Sequence, residues 1–148
     1  TAMAGLIVAL ALSSCSEPPD TADRGAIDRT ADEAANPVER KLLLKEAMPN
    51  LEGHDLTAVT VALSPGVMVP AHRHDGFVFV YVLEGIVQSQ LDSAETETYH
   101  AGDSWVEPPG VLHTLTRNAS NEDSAKILAV FVAKSDARLT TSGKISKQ

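Results

Sequence analysis

The sequence has few of the features that mark several common classes of protein. A single cysteine in 148 residues excludes an intramolecular disulfide framework and a cysteine-rich zinc module. Aromatic residues make up only 4% of the chain, the formal net charge is −8, and no lysine- or arginine-rich run occurs. We therefore expect no nucleic-acid partner, because such binding needs basic patches. No apolar run reaches the roughly 20 residues of a transmembrane helix, so attachment to a membrane would need another device.

The longest uncharged apolar run covers residues 2–12 and has the length of the hydrophobic region of a signal peptide. It is followed by Leu-Ser-Ser-Cys, which ends at Cys15 and resembles the bacterial lipobox. The resemblance implies that residues 1–15 are a lipoprotein signal peptide, whose start we expect to be missing, and that Cys15 carries lipid. Ser16 is not the aspartate that the sorting rule of such lipoproteins associates with the inner membrane. We therefore expect a periplasm-facing lipoprotein of the cell envelope, with the outer membrane favoured; a short buried helix with an unrelated cysteine is the alternative.

Beyond the cysteine the chain divides into three segments. Residues 16–36 are polar and contain few large apolar side chains. They cannot offset the entropy cost of ordering, so we expect a flexible linker. Residues 37–134 carry a series of short apolar runs separated by turn residues, and we expect them to form one domain. Residues 135–148 are polar and are expected to form a tail that is frayed or loosely packed on that domain.

Within residues 37–134 the strands recur about every 8 to 12 residues, which is typical of an all-β sandwich or barrel. The predicted strands cover residues 41–45, 56–63, 77–83, 86–91, 96–99, 104–106, 111–116 and 125–132. Alternation with a period of two places Val78, Val80 and Val82 on one face of a strand, and we expect that face to point inward. The expected fold is an antiparallel β-barrel.

Three of the five histidines are placed where they could bind one ion. His72 and His74 lie two positions apart on an extended segment, so their side chains share a face and lie about 6.6 Å apart along the strand. His113 begins a later strand after a Pro-Pro-Gly turn, and a barrel can bring it beside the first pair. Imidazole nitrogens bind divalent transition metals, so we expect one ion of Fe, Mn, Zn, Ni or Cu as the cofactor.

Two glycine- and histidine-containing motifs carry a resemblance to the cupin superfamily. The first motif, a glycine, five residues, His-x-His and a closing glycine, is met by Gly66, His72, His74 and Gly85. The second motif is met by Gly102, Pro108, Gly110 and His113. The resemblance covers residues 37–134 and is strongest to the small single-domain cupin-2 type. It implies a double-stranded β-helix, or jelly roll, with His72, His74 and His113 as metal ligands.

One position departs from the cupin pattern. The glutamate that commonly supplies a fourth ligand would fall at Val78 or Phe79, so we expect three neutral histidines and no carboxylate. This resembles the three-histidine cupins, which include thiol dioxygenases and β-diketone-cleaving dioxygenases. Gln88 and Gln90 are candidates for the missing ligand or for a substrate contact, with a solvent-facing pair as the alternative. Glu107 is either a hydrogen-bond acceptor for a histidine ligand or a surface carboxylate.

These residues predict a small-molecule metal site with open coordination positions. An anionic or oxygen-rich ligand could chelate the ion while an apolar wall that includes Val78 excludes water. We expect either a metalloenzyme of the non-haem dioxygenase or a related type, or a metallated binding or sensing module without turnover. A structural cupin that binds metal poorly is the third interpretation, because a fold alone does not determine chemistry. A homodimer is expected, since a small barrel can cover its strand edges by pairing two copies.

Overall fold

The computed structural model describes residues 37–143 of the chain. The predicted signal peptide with Cys15, the predicted linker at 16–36 and residues 144–148 of the tail lie outside the described residues. Within the described range no helix is long and apolar enough to span a membrane.

The described part of the chain is built from strands. They are β1 (Val38–Ala47), β2 (His54–Leu63), β3 (Met68–Val69), β4 (His72–Arg73), β5 (Phe77–Glu84), β6 (Ile86–Leu91), β7 (Glu97–His100), β8 (Ser104–Glu107), β9 (Leu112–Asn118), β10 (Ala125–Lys134) and β11 (Thr141–Ser142). All of their pairings are antiparallel. This confirms the predicted all-β class.

The strands form two sheets. One has the order β1-β2-β10-β5-β8, and the other has the order β11-β4-β9-β6-β7 with β3 also paired to β9. Apart from the consecutive pairs β1-β2 and β6-β7, neighbours in each sheet are distant in sequence, so the chain crosses repeatedly from one sheet to the other. This is the double-stranded β-helix, or jelly roll, that the motifs predicted.

The core lies between the two sheets, and β5 shows how the sequence directs it there. Val78, Val80 and Val82 are 1%, 2% and 0% exposed, as the period-two pattern predicted. The intervening Phe77 and Phe79 point to the opposite face and are 42% and 38% exposed. Burial of each valine contributes roughly 1.5 to 3 kcal/mol relative to exposure, so the inward set stabilises the barrel most directly.

Gly85 allows the chain to turn sharply from β5 into β6. Its φ is +77°, in the left-handed region that favours glycine. A Cβ atom at this position would lie 2.8 Å from the carbonyl oxygen of Ser124, which is closer than non-bonded atoms allow. The closing glycine of the first motif is therefore required by the backbone.

The C-terminal segment differs from the loose tail that its polarity predicted. Thr141 and Ser142 form β11 and pair with Arg73 and His72 of β4. The edge of β4 offers unpaired backbone groups, and a strand can satisfy them whatever its side chains are. Leu139 and Thr140, which lead into β11, consequently line the cavity beside the histidines.

Candidate metal centre

Pairing between β4 and β9 brings the three predicted histidines together. His72 is the direct cross-strand partner of His113, and His74 follows two residues after His72. One ring nitrogen from each of the three histidines lies within 4.8 Å of the corresponding nitrogens of the other two. The predicted cluster is therefore present in the fold.

The rings of His72 and His74 are oriented by backbone carbonyl groups. Nδ1 of His72 donates to the carbonyl oxygen of Pro70 at 2.9 Å. Nδ1 of His74 donates to the carbonyl oxygen of Leu139 at 2.6 Å. A proton on Nδ1 leaves Nε2 of each ring unprotonated, which is the form that binds a metal ion.

His113 contacts the surrounding hydroxyl groups through its other ring nitrogen, Nε2. Its Nε2 lies 2.8 Å from the hydroxyl of Ser89 and 3.0 Å from the hydroxyl of Thr116. Both hydroxyl-bearing residues are buried, so Nε2 is the nitrogen that exchanges a hydrogen bond with the protein. Nδ1 of His113 is left facing Glu107, 3.1 Å from its Oε1.

Glu107 places a carboxylate among the histidines. It is 3% exposed, and its Oε2 lies 3.3 Å from Nε2 of His74. Its Oε1 lies 3.1 Å from Nδ1 of His113 and accepts a hydrogen bond from Nε1 of Trp105 at 3.0 Å. The predicted three-histidine cluster is thus present and is accompanied by a carboxylate, because β8 pairs with β5 and aligns Glu107 with Val78. The surface alternative for Glu107 is also excluded.

Burial and neighbouring charges shift the pKa values of His72 and Glu107. Burial lowers the pKa of the His72 imidazole from 6.5 to about 4 and outweighs the opposing hydrogen bond to Pro70. Burial alone would raise the pKa of Glu107, but contact with His113, the charges of His113 and His74, and the Trp105 hydrogen bond lower it overall. The chain therefore favours a neutral His72 beside an ionised Glu107.

Two buried atoms at the centre test whether a metal ion would fit. Oε2 of Glu107 and Nδ1 of His113 are inaccessible to solvent and have no hydrogen-bond partner of acceptable geometry among the described residues. Two donors bound to one ion at about 2.0 to 2.2 Å lie about 3 to 3.5 Å apart, which matches the 3.3 Å between His74 and Glu107. The donor set fits a divalent transition metal.

A cavity of about 170 Å³ adjoins the cluster. Val78, Val80 and Phe131 contribute to its largely apolar wall, so Val78 does line the space beside the histidines. Sites for drug-sized ligands have volumes of about 300 to 1,000 Å³. The cavity therefore suits a ligand of only a few non-hydrogen atoms.

Gln88 and Gln90 do not face the cluster. Ser89 between them is 3% exposed and contacts His113, so its neighbours in β6 point to the other face of the sheet. Nε2 of Gln90 instead donates to the carbonyl oxygen of Ala94. Ser89 was missed in the sequence, although the apolar Val87 two residues earlier marks its side of the strand as inward.

Comparisons with known proteins agree with this architecture. Residues 59–131 match the family model of the cupin domain. None of the curated proteins matches the sequence.

Several solved structures are similar in fold. DMSP lyase DddQ from Ruegeria pomeroyi DSS-3 is 18% identical with a TM-score of 0.60, over 77% of this chain and 55% of the lyase. This chain thus spans about half the length of that enzyme. KdgF from Halomonas sp. is 22% identical with a TM-score of 0.56, over 70% of this chain and 86% of its own. An RmlC-like cupin from Shewanella frigidimarina NCIMB 400 is 21% identical with a TM-score of 0.55, over 70% and 83%. At these identities the likeness concerns the fold alone.

Proposed function

This chain carries a cupin domain at residues 59–131, and from that premise we propose that it is a metalloenzyme acting on a small anionic or oxygen-rich molecule. One observation supports the proposal above the others. Oε2 of Glu107 and Nδ1 of His113 are buried without a well-formed hydrogen bond, and their ion-pair contacts lie within the cluster itself, beside a cavity that suits a small ligand. Such unsatisfied groups are rare in folded proteins unless a ligand completes them.

Four residues would hold the ion. His72 and His74 offer Nε2, His113 offers Nδ1 and Glu107 offers Oε2. Histidine nitrogens with a single carboxylate suit Fe, Mn, Zn, Ni or Cu. The carboxylate would reduce the charge of the centre from that of a bare dipositive ion.

The chain's own residues define what chemistry the site can support. A divalent ion bound here would polarise a chelating substrate oxygen and, if redox-active, would allow dioxygen chemistry of the non-haem type. The backbone hydrogen bonds to His72 and His74 and the hydroxyl contacts to His113 fix the ligand rings in place. The valine wall excludes water, which strengthens the attraction between the centre and an anionic ligand.

The metal content of the purified protein tests this proposal. We expect about one divalent transition metal per chain in protein purified without chelating resins, and loss of most of it in His113→Ala. His100→Ala is the matched control, because His100 is exposed and lies away from the cluster. Equal metal content in the two variants would contradict the metal centre.

Turnover is tested separately on the metal-loaded protein. Consumption of a small oxygen-rich acid, with or without uptake of dioxygen, is the result expected of an enzyme. Tight binding of such acids without any product would instead support the alternative, a metallated binding or sensing module.

We also propose that the protein is a lipoprotein attached through Cys15 to a bacterial envelope membrane. The lipobox-like Leu-Ser-Ser-Cys and the apolar run before it support this. Cys15→Ala in the full precursor should release the protein from the membrane fraction, whereas Ser13→Ala should not. Retention of the Cys15→Ala protein in the membrane fraction would refute the anchor.

A further inference from the structure

Arg40 occupies an inward-facing position on β1. It is the cross-strand partner of Val61, and directly opposed residues place their side chains on the same face. Val61 packs against the core, and so does Val38, two positions before Arg40 on the same strand. The period of the strand therefore directs Arg40 toward the space between the sheets, where an apolar residue would be expected.

The side chain of Arg40 lines the cavity beside the metal centre. Among the described residues that form this lining, Arg40 is the one permanent cation, and it is exposed, so it lies at the solvent side of the cavity. Most of the other lining residues are apolar. Arg40 and the three histidines thus line the same cavity.

Within residues 37–143, Arg40 has no ion-pair partner for its charge. Lys45 and Lys126 form ion pairs with Asp55 and Glu84, and Arg73 donates to the carbonyl oxygen of Gly110 at 2.6 Å. No comparable ion pair or hydrogen bond to Arg40 is present within residues 37–143. A guanidinium remains charged at any physiological pH and presents a planar fork of donors that matches a carboxylate.

We propose that Arg40 binds the carboxylate of a small organic acid whose second oxygen donor reaches the metal centre. This inference rests on the proposed function and names the substrate class of the same site. A carboxylate is favoured over a phosphate because the cavity is small and largely apolar, and a carboxylate brings fewer charged oxygens into it.

Binding of glycolate to the Zn²⁺-loaded protein, followed by calorimetry, tests the assignment. Charge-assisted hydrogen bonds are stronger than neutral ones, so Arg40→Gln should weaken glycolate binding about tenfold. Arg40→Lys keeps the positive charge but loses the planar fork of donors, so its affinity for glycolate should fall between those of the original protein and Arg40→Gln. Glycolamide, which lacks the charge, should bind weakly to the original protein and should be insensitive to Arg40→Gln.

Lys41→Gln is the matched control, since Lys41 is the next residue of β1 and faces outward beside Leu43 and Lys126. It removes the same charge and should leave glycolate binding unchanged. Equal glycolate affinity in Arg40→Gln and the original protein would overturn the inference, as would inorganic phosphate that binds more tightly than glycolate and depends on Arg40.

Metal content measured in every variant separates this inference from the proposed function. If all variants keep their full metal content but glycolate affinity does not depend on Arg40, only the role of Arg40 is overturned. An original protein that takes up no Zn²⁺ overturns the proposed function itself.

Discussion

Val78 and Glu107 are direct cross-strand partners in the β5–β8 pair, and both side chains are buried on the inward face, at 1% and 3% exposure. Cβ atoms of residues paired in this way lie about 4.5 to 5.5 Å apart. Val78 occupies one of the positions where cupins commonly carry a glutamate ligand. The carboxylate of this protein thus enters the same region from the neighbouring strand.

This relationship predicts that the carboxylate can be moved between the two strands. Glu107→Gln should lower metal affinity at least tenfold, because loss of a hydrogen-bond partner of a ligand alone costs 10- to 100-fold. The double variant Glu107→Val with Val78→Glu should recover a large part of that loss. Competition with a chelator of known affinity measures all three proteins. Val78→Glu alone is the control, and a double variant no better than Glu107→Gln would show that position 78 does not reach the ion.

Ser89 is predicted to position His113. Ser89→Ala removes the nearer of the two hydroxyls that contact Nε2 of His113 and leaves only that of Thr116, so the ring is held less firmly. Metal affinity should fall roughly 10- to 100-fold while the thermal stability of the metal-free protein changes little. Ser89→Thr keeps a hydroxyl and should retain more affinity than Ser89→Ala. Identical affinities in the three proteins would argue against a positioning role.

The metal-free protein should lose stability in acid partly through His72. Its pKa is lowered from 6.5 to about 4 in the folded state, so between these values the unfolded chain binds a proton that the folded chain does not. The stability that depends on a neutral His72 is therefore fully present above pH 6.5 and is lost as the pH falls toward 4. Urea unfolding of chelator-treated protein at pH 7, 6, 5 and 4 should show this decline.

His72→Asn provides the comparison for that experiment, because its side-chain amide can still donate to the carbonyl oxygen of Pro70. The free energy of unfolding of His72→Asn should fall less steeply between pH 6.5 and 4. If the free energy of unfolding falls equally steeply with pH in both proteins, burial of His72 does not contribute to the loss of stability in acid.

The outward face of β5 and β8 is predicted to join two copies of the chain. Phe77, Phe79, Leu83 and Val106 are 42%, 38%, 39% and 48% exposed, and Phe79 pairs directly with Val106. These four residues carry no charge in a chain with a net charge of −8, so a second copy can meet this face with little repulsion. We propose a homodimer with two-fold symmetry about this face.

Sedimentation velocity at tens of micromolar tests the dimer. Phe79→Glu should shift the protein to a monomer, because two buried carboxylates would then face one another. Met68→Glu is the control, since Met68 is 58% exposed on the other sheet. An original protein that sediments as a monomer would contradict the proposal.

Local periodicity was sufficient to predict a large part of this protein. A strand turns each successive side chain to the opposite face whatever its surroundings, so the inward set of Val78, Val80 and Val82 could be derived from the sequence. The same rule put His72 and His74 on one side of their segment. The same alternation, counted from Val87, places Ser89 on the inward face.

Only the tertiary structure decided which strands meet. Glu107 aligns with Val78 although the two lie 29 residues apart in the chain, and His113 aligns with His72 although they lie 41 residues apart. Both alignments depend on strand registers that are set by hydrogen bonds across the sheets. The part played by Leu139 depends likewise on β11 pairing with β4. Side-chain direction is a property of the local backbone and can be derived from the sequence, whereas the partner across the ladder is a property of the whole hydrogen-bond network.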